Sequence, residues 1–128
     1  MDVAKTLRRC LEERRDEVVF AYLFGSLAEG KEGPLSDVDV AVFLKDEFAS
    51  SHFDVKLSLL ADFCRALGRN DVDVVVLNHI HNLLLLDAII RAGVVLLDED
   101  PRLRADFELN ALHRAIDFKA QRAAVMGF

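Results

Sequence analysis

The chain has 128 residues, of which 52% are apolar and 30% charged, and a net charge of -6. That length predicts one domain, 1–128, able to bury a core but too short for a catalytic domain plus a separate substrate domain. The balance is that of a globular protein, apolar enough to reserve some surface for a partner or an oligomer. The net acidity argues against direct nucleic-acid binding, which wants a basic face, and no run is long enough to span a bilayer.

In chain order, residues 2 to 16 place Val3, Leu7, Cys10 and Leu11 at helical spacing, which predicts an amphipathic helix whose arginines, Arg8, Arg9, Arg14 and Arg15, are solvated. Charges run throughout this segment and it has no apolar centre, so it does not read as a secretory signal. Val18 to Phe24 is a continuous apolar run rich in β-branched and aromatic residues. It stops at Gly25-Ser26, as a buried strand emptying into a tight turn does. Gly25 would let backbone approach a phosphate. Ser26 adds a hydroxyl, with free N–H groups if a short helix begins over Leu27-Ala28-Glu29. Gly30, Gly33 and Pro34 mark a flexible turn from Glu29 to Ser36, where Lys31 could swing onto a triphosphate.

Ser36-Asp37-Val38-Asp39 then leads into Val40-Ala41-Val42-Phe43-Leu44, a second strand that begins inside the acidic motif. Side chains alternate across a strand, so Asp37 and Asp39 share one face, while Val38, Val40, Val42 and Leu44 line the other, buried one. Two carboxylates held so close repel each other unless a proton or a cation stands between them. Magnesium, a hard ion bound through one or two carboxylates together with substrate phosphates, suits such a D-x-D pair facing a Gly-Ser turn.

Lys45 to His52 reads as a polar connection, and Phe53 to Leu67 as a helix with Leu57, Leu60, Cys64 and Leu67 on one stripe, Phe53 and Phe63 nearby, closed by Gly68. Asp71 to Leu77 is a third strand with valine at its even positions and Asp71 and Asp73 on the opposite face. His79 and His81, two apart, suit neither one helical face nor a zinc motif; they read as loop residues, with Asn82 capping the next helix. Leu83 to Ala92 predicts a buried helix ended by Gly93, and Val94 to Leu97 a short fourth strand. From Arg102 onward Leu103, Phe107, Ala111, Ala115 and Phe118 form one stripe, with Leu109, Leu112 and Ile116 forming a second. Cys10 and Cys64, without zinc or redox spacing, read as reduced near-core residues of a cytoplasmic protein.

The pattern G-S-x10-D-x-D, as Gly25, Ser26, Asp37 and Asp39, resembles the signature of the DNA polymerase β-like nucleotidyltransferase superfamily, and within it the minimal nucleotidyltransferase (MNT) group. Weaker similarity continues through VDVVVLN at 72 to 78 and RAGVVLLDED at 91 to 100. The resemblance implies a mixed α/β nucleotidyltransferase fold, with a sheet of about four strands, carboxylates at one end and helices over the other surface. It implies nucleotide binding by Gly25, Ser26 and Ser36. It also implies a third carboxylate from the third strand, which Asp73 matches better than Asp71, so that Asp37, Asp39 and Asp73 hold two magnesium ions. It further implies transfer of AMP from ATP to a hydroxyl, in this group a tyrosine of a HEPN ribonuclease toxin for which the MNT protein is the antitoxin. An aminoglycoside-modifying enzyme and an idle antitoxin acting by contact alone are the alternatives.

Overall fold

The computed structural model describes residues 2–28 and 37–126. Helix α1 (Val3–Glu12) begins at Asp2, whose Oδ1 accepts from the Lys5 N–H at 3.2 Å. Strand β1 (Val18–Phe24) follows, then β2 (Val38–Leu44), a 3-10 segment at Asp46–Ser51 and helix α2 (His52–Leu67). Strand β3 (Val72–Val76) runs into a second 3-10 turn at Leu77–His79. Helix α3 (Leu83–Ala92), strand β4 (Val94–Asp98) and the long helix α4 (Pro101–Met126) complete the chain.

The four strands form one sheet in the order β3-β2-β1-β4. β1 pairs antiparallel with both β2 and β4, while β2 and β3 run parallel, so the sheet is mixed, as the resemblance implies. The parallel pair is joined through α2, since strands running the same way need a crossover connection. The crossover makes β3 an edge strand.

Both faces of the sheet are covered. On one, Val38, Val40, Val42 and Leu44 of β2 join Val72 and Val74 of β3 against Leu7 and Leu11 of α1 and Val55, Leu59 and Phe63 of α2. On the other, Phe20, Tyr22 and Ala41 pack with Leu86 and Ile89 of α3 and Ala111 of α4. The expectation that helices cover only the surface away from the carboxylates is therefore corrected. The aspartate face of β2 continues through Ala41 and Phe43 into a second core, and only its beginning is open. A register shift between Val18 and Phe20 lets Val19 and Phe20 both face that second core, the usual consequence of one extra residue in a strand.

Three further sequence expectations change. Phe53 and Leu57 are 68% and 47% exposed, while Leu60, Cys64 and Leu67 of the predicted stripe do pack, beside the buried Val55, Leu59 and Phe63 on which the face centres. α1 stops at Glu12 rather than residue 16, and Arg14 is not solvated. Its Nε donates to Asp62 Oδ2 at 2.9 Å, and its NH groups reach Glu17 and Ser58, which ties the end of α1 to α2. Finally, Ala111 and Ala115 of α4 are buried while Leu109 and Ile116 lie open, so only one of its two apolar stripes is used within the chain. Gly68 closes α2 in the left-handed conformation at φ 66°, and Asn82 caps α3 as predicted.

Candidate active site

The site is built where three strands end or begin side by side. Phe24, the last residue of β1, is the cross-strand partner of Asp39, and Asp39 is the parallel-pair partner of Asp73. The two aspartates therefore stand on one face, at adjacent positions of neighbouring strands about 5 Å apart. Period-two alternation puts both on the same face; the pairing register makes them neighbours.

Gly25 follows Phe24 with φ +77°, and a Cβ built there would lie 2.5 Å from Asp39 Oδ2. Both the backbone conformation and the space require glycine, because any side chain would occupy the place of the carboxylate. Ser26, Leu27 and Ala28 form a turn, with Ser26 exposed. Glu29 to Ser36 lies outside the described residues, and with it Lys31 and the predicted nucleotide contact at Ser36.

Asp39 is half-buried and its carboxyl is pushed above the usual range, chiefly by burial, then by the negative charges of Asp73 and Asp37. Asp39 thus feels the charge of both other aspartates. Asp37 precedes β2 and is exposed, as is Asp73. Among the described residues no three His, Cys, Asp or Glu side chains stand together as a metal-holding group. The donors present nonetheless fit a hard divalent cation. They are oxygen only, they carry excess negative charge, and a cation would relieve the repulsion that raises Asp39.

Asp71 is differently placed. Arg69 holds it with a two-pronged contact, Nε to Oδ1 at 2.7 Å and NH2 to Oδ2 at 2.6 Å, which lowers its pKa. Its carbonyl accepts from the Val38 N–H at 2.9 Å, starting the β2–β3 pairing. Asp71 thus has a structural partner, whereas Asp73 projects from within the strand. Sequence reading passed over Arg69, whose guanidinium feels the charge of Asp37 as well as that of Asp71. The signal available was an R-x-D immediately before a strand carrying a second aspartate.

The histidines also gain a partner. His79 Nε2 lies 3.0 Å from His52 Nδ1, and His52 Nε2 lies 3.1 Å from the Lys45 carbonyl. His52 is buried, so this pair pins the start of α2 to the turn after β3. Next to it Asn78 brackets Leu44, accepting from its N–H and donating to its carbonyl, both at 2.8 Å. His81 is exposed.

A mixed four-stranded sheet with carboxylates at the open start of a parallel strand pair, beside a glycine turn, is the arrangement of a nucleotidyltransferase domain. The chain matches the polymerase β nucleotidyltransferase family over residues 5–102 and belongs to it. No curated protein matches it. Among solved structures, it resembles a chain of a toxin–antitoxin complex with AMP-PNP, at 22% identity and a TM-score of 0.79, covering 99% of this chain and 97% of that one. It also resembles a chain of the Shewanella oneidensis complex between a tri-AMPylated HEPN toxin and an MNT antitoxin, at 21% identity, a TM-score of 0.72, and coverage of 98% and 93%. A chain of the MntA–HepT toxin–antitoxin complex matches at 21% identity and a TM-score of 0.71, covering 98% and 94%. At these identities the likeness is one of fold. No helix among the described residues is long and apolar enough to cross a membrane.

Proposed function

We propose that this protein is an antitoxin that transfers AMP from ATP to a tyrosine hydroxyl of a HEPN-family toxin. The observation that carries the reading is Asp39, enclosed beneath Gly25, set beside Asp73 in register and raised in pKa by burial and by its two acidic neighbours. Membership in the nucleotidyltransferase family supports the reaction class. The complexes that its fold resembles include one with AMP-PNP and one with an AMPylated HEPN toxin, which supports ATP and the partner.

In this reading the acceptor oxygen forms a bond to the α-phosphorus, the bond from that phosphorus to the bridging oxygen breaks, and pyrophosphate leaves. Asp37, Asp39 and Asp73 would hold magnesium, which when bound neutralises phosphate charge and makes the hydroxyl more acidic. Gly25 and Ser26 receive the outer phosphates, since the missing Cβ lets them approach the backbone of the turn. Asp73, exposed on its strand, takes the hydroxyl proton. Asp71 stays bound to Arg69 and keeps the β3 entry in place.

A protein acceptor is supported by the apolar side chains of α4 that the chain itself leaves open, Leu109 and Ile116, which share one stripe of the helix. The test is incubation with ATP labelled in the α-phosphate, magnesium and the cognate HEPN protein. Label on a tyrosine of that protein, lost when EDTA is added, is the expected result. Binding without any label transfer would replace the enzyme with an antitoxin that works by contact alone.

A further inference from the structure

A groove of about 390 Å³ runs along the outer side of β3, lined by Phe53 and Lys56 of α2, by Asp73, Val74 and Val76 of the strand, and by His79 beyond it. It meets the candidate active site at Asp73. We propose that this groove receives an extended segment of the acceptor protein, presenting an aromatic hydroxyl to Asp73 and an acidic side chain to Lys56. The inference rests on the transfer reaction proposed above and adds where the acceptor lies and what recognises it.

The order of parts across the sheet supplies the first argument. Reading from β1 to β3, the Gly25 turn comes first, Asp39 stands in the middle and Asp73 at the edge, with the groove beyond. Phosphoryl-type transfer places the attacking and leaving oxygens roughly in line on opposite sides of phosphorus. If the leaving phosphates rest at the Gly25 turn, the attacking hydroxyl must come from the β3 side. The groove opens on that side.

The second argument is the edge itself. Among the described residues β3 pairs only with β2, so its outer backbone groups can take another strand. Exposed edges are commonly blunted by charged side chains, proline or a bulge; Val72–Val76 carries one charge, Asp73, and no proline, and its register to β2 is unbroken. An extended segment laid there would gain main-chain hydrogen bonds and expose alternate side chains to the groove wall. Phe53, 68% exposed at the rim, offers an aromatic face suited to a tyrosine ring. Lys56 places a positive charge in the groove wall, which selects an acidic neighbour.

The test compares wild type with Phe53→Ala and Lys56→Ala, which remove the groove's aromatic rim and its positive charge without adding charge beside Asp73. With the cognate HEPN protein as acceptor, each substitution is expected to raise KM about tenfold, the size of a hot-spot truncation, with kcat and stabilisation by magnesium-ATP unchanged. An unchanged KM, or a fall in kcat alone, overturns the groove assignment while leaving the transfer reaction standing. Should wild type transfer nothing, the reaction is refuted separately, and calorimetric titration of the HEPN protein still decides the groove. A Kd weakened about tenfold by Phe53→Ala supports docking there, and an unchanged Kd overturns it.

Discussion

Replacing Gly25 with alanine tests the geometry at the centre of the site, and Gly68→Ala is its internal control. Both glycines adopt the left-handed conformation, at φ 77° and 66°, so each substitution carries the same backbone penalty of about 1–2 kcal/mol. In a domain of this size that lowers the melting temperature by roughly 3–10 °C. The two sites differ in what the new Cβ meets. At Gly68 there is nothing within 4 Å, whereas at Gly25 the Cβ would stand 2.5 Å from Asp39 Oδ2. The carboxylate must move, and a displacement of about 1 Å in a catalytic group can lower the rate by about 100-fold. Thermal unfolding and AMP transfer measured side by side should show similar losses of stability, with transfer collapsing only in Gly25→Ala. Equal transfer by the two variants would refute the argument that Gly25 makes room for Asp39.

The pKa of Asp39 gives a signed pH dependence: because its folded value lies above its unfolded one, the folded protein holds the proton more tightly and metal-free stability falls as pH rises from the unfolded value through the folded one. Asp39→Asn should remove that slope and melt above wild type in EDTA at neutral pH; a variant that melts lower would mean the carboxylate serves the fold. Tyr22 donates to Glu108 Oε1 at 3.0 Å, so Tyr22→Phe should cost about 1 kcal/mol in urea unfolding, and no change would mean the bond contributes nothing. Arg104 donates to Asp98 Oδ2 at 2.8 Å and also pairs with Glu108, while Asp98 Oδ1 is buried with no partner among the described residues. Arg104→Ala should therefore cost more, about 2–3 kcal/mol given that the pair is a quarter exposed, and a loss no larger than that of Tyr22→Phe would contradict this.

The strands and the glycine turn were legible because their signals are local: a continuous apolar run stopped by Gly25-Ser26, and alternation of valine with aspartate. Parity could place Asp39 and Asp73 on matching faces. It could not make them neighbours, since that needs the parallel register of two strands separated by a whole helix. The centre of the buried face of α2 was likewise hidden, because Leu60, Cys64 and Leu67 suit a helical face as well as Val55, Leu59 and Phe63 do, and only the sheet shows that the face centres on the latter. Long-range polar pairs left no trace in the sequence. His52 meets His79, Arg14 meets Asp62, and the buried Asp87 of α3 is held by Lys119 of α4 at 3.1 Å. Each joins elements whose packing periodicity alone does not fix. The exposed stripe of Leu109 and Ile116 was visible as a pattern, but its solvent exposure required the orientation of α4.

The central claim is that Asp39 and Asp73 carry out nucleotidyl transfer while Asp71 supports the strand. It is tested most directly by following labelled AMP onto the cognate HEPN protein with wild type, Asp39→Asn, Asp73→Asn and Asp71→Asn under magnesium. The account predicts label with wild type and with Asp71→Asn and none above background with the other two. Label transferred equally by Asp73→Asn, or lost in Asp71→Asn while Asp73→Asn stays active, would contradict it.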